Sequence, residues 1–106
     1  MPNDVYKALA HPIRREIIER LAESPATVGE ATRNFGVSKP TISGHLKVLE
    51  EAGVVVRVID GRTHRLRLDG GQLNEAGAWL ERQRALWTRA FDAVEGLLEE
   101  QREGTA

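Results

Sequence analysis

VSKPTISGHLKVLEEAGVVVRVIDGRTHRLRL, residues 37–68, changes period halfway along, and the change decides the fold. Up to Ala52 the apolar Ile42, Leu46 and Leu49 lie within about 60° of one another at about 100° per residue, the geometry of one buried helix face. Ser38 suits a helix cap, Pro40 a first turn and Gly53 a left-handed stop. From Val54 to Ile59 the residues are mostly β-branched, Asp60-Gly61 reads as a two-residue hairpin turn, and Arg62 to Leu68 ends in alternation. A capped helix followed by a β-hairpin wing is expected.

Upstream, Thr27 followed by Glu30 is a capping box, opening a short helix that carries Val28, Ala31 and Phe35 inward and ends at Gly36. Two helices joined so tightly make a helix-turn-helix over residues 27–52, with the wing over 54–68. Before them, Pro12 opens a helix with Ile13, Ile17, Ile18 and Leu21 at helical spacing, stopped by Ser24-Pro25, and Asp4 to Ala10 forms an earlier turn or two. After Gly70-Gly71 a last helix runs roughly from Leu73 to Gln101. The predicted class is mainly α with a small β-hairpin, a winged helix-turn-helix in the order α-α-α-α-β-β-α, forming a single domain over residues 1–106.

Along that last helix Leu73, Leu80, Trp87 and Val94 recur every seven residues, with Ala76, Ala90 and Leu97 between them and Trp79 and Leu86 widening the stripe. A chain this short buries only about 60–70% of its unfolded surface, so such a stripe calls for a partner. A homodimer through residues 1–10 and 72–101 follows, with Val5, Leu9, Leu73, Leu80, Trp87, Ala90, Val94 and Leu97 at its interface. The aromatic stripe also admits an effector pocket between helices.

The outward face of the helix after Ser38 comprises Pro40, Thr41, Gly44, Lys47 and Val48, flanked by Ser43 and His45. Mostly small, polar or basic, it suits a major groove about 12 Å wide. Ser38 and Thr41 can donate to phosphate oxygens, Lys39 and Lys47 can neutralise phosphates or reach guanine acceptors, and Gly44 permits close approach. At the wing, Arg62 can enter a minor groove and Arg57 can grip flanking phosphates. Arg65 and Arg67 are read equally well as a solvated strand face.

Net charge is −1, but residues 33–67 hold seven Lys/Arg against three Asp/Glu, while residues 73–106 hold four Arg against seven acids. Local basic surface matters to a phosphate backbone, since screening acts over about 8–10 Å. Double-stranded DNA is the expected partner; a winged-helix protein-interaction module is the alternative. No cysteine is present, which removes disulfides and thiolate metal sites, and the sequence offers no P-loop and no Ser-His-acid arrangement, so no enzyme is expected. No apolar run approaches the ~20 residues of a membrane span and no secretory leader opens the chain, so a cytoplasmic protein without membrane contact is expected. His11, His45 and His64 lack ligand spacing, so neither metal nor cofactor is expected.

The stretch quoted first, together with ALAHPIRREIIERL at residues 8–21, resembles the DNA-binding core of the ArsR family of bacterial and archaeal repressors. The resemblance covers roughly residues 5–68 and implies a dimeric repressor that blocks promoters and is released by an effector. It puts Ser38, Lys39, Thr41, Ser43, His45 and Lys47 where the family meets DNA and Arg62 at the wing tip, while Gly44 departs from the longer side chains many relatives carry. The family's metal sensors carry cysteines near the third helix or Asp, His and Glu ligands in the last. With VGEATRNF in the third helix and no histidine in the last, the chain looks like the branch without metal ligands.

Overall fold

The computed structural model describes the backbone of residues 2–104 and the side chains of residues 4–104. Two units divide the chain, Met1–Ala76 and Gly77–Ala106. In order the elements are α1 (Pro2–Leu9), α2 (Pro12–Glu23), β1 (Ala26–Thr27), α3 (Val28–Ala31), α4 (Lys39–Glu51), β2 (Val55–Asp60), β3 (Thr63–Leu68) and α5 (Gly70–Gly104).

Local chemistry sets most boundaries in the first unit. Pro12 sits in the first turn of α2, whose free Ile13 N–H donates to Nδ1 of His11 at 3.1 Å. Thr27 and Glu30 form the expected reciprocal capping box on α3. The hydrogen bond from the Thr27 hydroxyl holds the Glu30 carboxyl below its ordinary value, and the Thr27 backbone N–H acts the same way. At the end of α4, Gly53 takes φ +72°, its N–H donates to the Glu50 carbonyl at 3.0 Å, and the Val54 N–H donates to the Leu49 carbonyl at 3.1 Å. This is a Schellman closure, with Leu49 and Val54 both fully buried beneath it.

The core of this unit is one cluster. Val5 and Ala8 of α1, Ile17 and Leu21 of α2, and Leu46 and Leu49 of α4 meet Val55 of β2 and Leu66 of β3. Burying each of the larger side chains is worth about 1.5–3 kcal/mol. Ile42 packs against the cluster, as the helical spacing of α4 requires.

Three features differ from the sequence reading. The sheet has three strands in the order β1-β3-β2, because Ala26 and Thr27 pair antiparallel with Leu66 and Arg65. Helix α3 stops at Ala31 and does not reach Phe35. There the Thr32 hydroxyl donates back to the Val28 carbonyl at 2.6 Å, and Arg20 of α2 donates to the carbonyls of Ala31 and Arg33 with its guanidinium 4.3 Å from the Phe35 ring centre. Asn34 as well as Gly36 then adopts the left-handed conformation. In the wing Asp60 pairs with Thr63, so the turn residues are Gly61 and Arg62, one position later than expected. A positive φ at Gly61 alone is the sign pattern of a II′ turn, which matches the strand twist.

The second unit is the remainder of α5, which runs unbroken through Gly77 and Gly96. Trp79, Leu80, Leu86, Trp87, Phe91, Val94, Leu97 and Leu98 are all exposed along it, Phe91 to 69%. Among the described residues no helix is long and apolar enough to cross a membrane.

Candidate nucleic-acid interface

The N-terminal half of α4 is built to stay open. Ser38, the cap, accepts from the Thr41 N–H at 3.3 Å, and the two hydroxyls lie 2.9 Å apart. Ser38, Lys39, Pro40, Thr41, Ser43, Gly44 and Lys47 are all exposed. Nothing lies within 4 Å of where a Cβ on Gly44 would sit, so internal packing does not call for glycine there, and in a helix interior it costs about 1 kcal/mol. Lys47 is 75% exposed, and its 3.9 Å approach to Glu51 is a loose surface pair worth little, which leaves the ammonium available. Among the described residues, neither Lys39 nor Arg62 has an ion-pair partner.

Four expected site residues sit differently from the sequence reading. Val48 is half-buried and packs on the core cluster, because α4 is also covered by α1. His45 turns toward α2, where its Nδ1 accepts from the Arg14 guanidinium at 3.0 Å and its ring lies 4.3 Å from that of His11. Arg57 does not stand free but is paired with Glu50 of α4 at 2.7 Å. Val5 is 1% exposed within its own core, so it has no area left for a partner, while Leu9 and Leu73 are half-buried against that core. Leu80, Trp87, Ala90, Val94 and Leu97 are exposed, in keeping with the expected stripe.

An open recess of about 400 Å³ brings Arg57, Arg62 and His64 of the wing together with Val28 and Gly29 of α3. Arg65 and Arg67 are exposed on β3, on the opposite face from Leu66. Sequence reasoning missed Arg14, which donates to the Ala8 and Lys7 carbonyls at 2.9 and 2.8 Å as well as to His45, tying α1, α2 and α4 together. Nothing in the local pattern around Arg14 signals a partner 31 residues away.

The His45 geometry has a pH consequence. A guanidinium only donates, so the bond from Arg14 requires an unprotonated Nδ1 on His45. Burial holds this imidazole below its ordinary value of 6.5, and the neighbouring His11 and Arg14 push the same way. The stabilisation is therefore complete above the unfolded-chain value and is lost as pH falls through the lower folded one. Thermal unfolding at about pH 5.5 is expected to give a lower midpoint than at about pH 7.5, and His45→Gln should shrink that difference. An undiminished difference in the variant would assign it to other groups.

Among the described residues no cluster of three or more His, Cys, Asp or Glu could hold a metal ion. Comparison with known proteins gives one consistent result. The family described as "Bacterial regulatory protein, arsR family" matches residues 11–56. The HTH-type transcriptional regulator Rv2034 of Mycobacterium tuberculosis is 38% identical over 104 residues, 98% of this chain and 94% of that protein. The crystal structure of the ArsR family transcriptional regulator RHA00566 matches with a TM-score of 0.74 at 32% identity, covering 81% of this chain and 94% of that one. The homodimeric winged helix-turn-helix DNA-binding domain of Mb0332 from Mycobacterium bovis, described as a possible ArsR-family regulator, gives a TM-score of 0.56 at 28% identity over 85% of this chain and 77% of that one. With its mainly helical fold, three-stranded sheet and exposed capped helix, this chain belongs to the ArsR family of winged helix-turn-helix proteins, which are transcriptional regulators and not enzymes.

Proposed function

We propose that the protein is a homodimeric repressor that sets one copy of α4 into each of two successive major grooves of an inverted-repeat operator and obstructs transcription there. The observation that carries this reading is the exposed N-terminal face of α4, capped by Ser38, with Thr41, Ser43 and Gly44 short enough to approach base edges. Lys39 and Lys47 supply charge for phosphates beside it, and Arg62 stands at the turn of a wing suited to an adjoining minor groove. Residues 27–52 thus serve as the reading motif, 54–68 as the wing and 72–101 as the dimerisation helix. The dimer is supported by the exposed apolar stripe of α5 and by the homodimeric state named for Mb0332. Regulation without a metal ion is supported by an α5 that contains neither cysteine nor histidine.

A gel-shift titration at two salt concentrations tests the reading. Lys39→Ala and Arg62→Ala should each weaken duplex binding roughly three- to tenfold and lower the salt slope by about 0.9 per subunit, without changing thermal stability. Wild-type affinity in either variant would remove that residue from the interface. A flat salt dependence in the wild type would point instead to a protein-interaction module. Sequencing genomic fragments that the protein retains would supply the operator.

A further inference from the structure

Arg57 lies on β2 and Glu50 in the last turn of α4, and the two meet as a fork: Nε to Oε1 at 2.7 Å and Nη2 to Oε2 at 3.3 Å. The remaining nitrogen, Nη1, donates to Nδ1 of His64 on β3 at 3.1 Å. All three guanidinium nitrogens are thereby engaged, and the two ion-paired side chains are only 29% and 30% exposed. Helix, outgoing strand and returning strand are joined at one point.

That point is where the wing leaves the body of the first unit. Along β2 burial decreases outward, from buried Val55 through half-buried Val56 and Arg57 to exposed Val58, Ile59 and Asp60. Beyond Arg57, side chains on β2 are left open, with Val58 at 50% and Ile59 at 62% exposure. Apolar packing therefore does not fix the direction of the tip that carries Arg62. A planar fork with one further contact, to His64 on the returning strand, does, because it constrains angle as well as distance.

We infer that Glu50, Arg57 and His64 form a brace that sets the wing against the recognition helix, so that Arg57 is a positioning residue acting through Arg62 and not itself a phosphate ligand. The inference rests on the DNA-binding reading above. It also reverses an electrostatic expectation: a carboxylate beside a DNA surface should oppose binding, yet here Glu50 supports it.

The decisive variants are Glu50→Gln and Arg57→Gln, each measured alone and with Arg62→Ala. With duplex DNA, each single change at the brace is expected to weaken binding about two- to fivefold, no more than Arg62→Ala itself, and to add little once Arg62 is already replaced. Hydrogen exchange in the DNA-free protein should show faster exchange of backbone amides in residues 58–63 in both brace variants, with unchanged protection in α4. Binding by Glu50→Gln as tight as wild type or tighter would overturn the inference. So would a loss from Arg57→Gln that adds in full to that of Arg62→Ala, or wing exchange that does not move. The exchange measurement needs no DNA, so a wild type that fails to bind duplex would defeat the DNA-binding reading separately from the brace.

Discussion

With Trp87 replaced by glutamate, the protein is expected to sediment as a monomer and to lose operator affinity by about 10²–10⁴-fold. Trp87 is half exposed at the middle of an apolar stripe that includes Leu80 and Val94 one heptad to either side. In the proposed dimer such side chains leave water together, each contributing about 1.5–3 kcal/mol, and a carboxylate among them forfeits that and adds a desolvation cost. The effect on DNA is larger than the effect on the interface itself. A dimer presents two reading helices, the second engaging at the high effective concentration set by the first, whereas a monomer grips a single half-site. An unchanged dimer mass by sedimentation would refute the interface.

The other large effect belongs to Leu49→Ala, which should lower unfolding free energy by about 2–5 kcal/mol. Leu49 is fully buried, lies on the inner face of α4, and its carbonyl accepts from the Val54 N–H in the closure that ends the helix. Because a domain of this kind is held by only about 5–15 kcal/mol in total, the change removes a substantial part of its stability. Urea denaturation measures it directly. A loss under about 1 kcal/mol would mean that the surrounding side chains collapse into the space, contrary to a close-packed cluster.

What the sequence made legible was mostly local. Pro12 through its fixed φ, and the Thr27/Glu30 pair, Ser38 and Gly53 through hydrogen bonds that reach no further than about a turn, each specify an element end, and all four ends stand where their chemistry puts them. Strand β1 escaped because two residues carry no alternation, and because Thr27 at its end already announced a helix cap. The wing turn shifted by one residue because glycine fits more than one position of a two-residue turn, and strand pairing decides among them.

The differences at the candidate interface have another origin. Arg57 is one of seven basic residues within 33–67, but it is paired across the fold with Glu50, which lies in the same stretch. His45 has a helical position compatible with DNA and a side chain committed to Arg14, a partner that helical periodicity cannot reveal. Val5 is an apolar residue of the first helix, and core and interface share that signature until a fold distinguishes them. Lys39, Thr41 and Gly44 kept their outward aspect because the opposite face of the same helix is so clearly apolar.

The closure at Gly53 has one more consequence. The Val54 N–H, one residue before β2, donates to the Leu49 carbonyl of α4, so the root of the wing is fixed to the end of that helix. A displacement of α4 is thereby passed to the root of the wing, and the freedom that the brace at Arg57 restrains lies further out, at the tip. In the proposed dimer, a change in the distance or pitch between subunits would therefore carry each α4 and the root of its wing out of step with the grooves together.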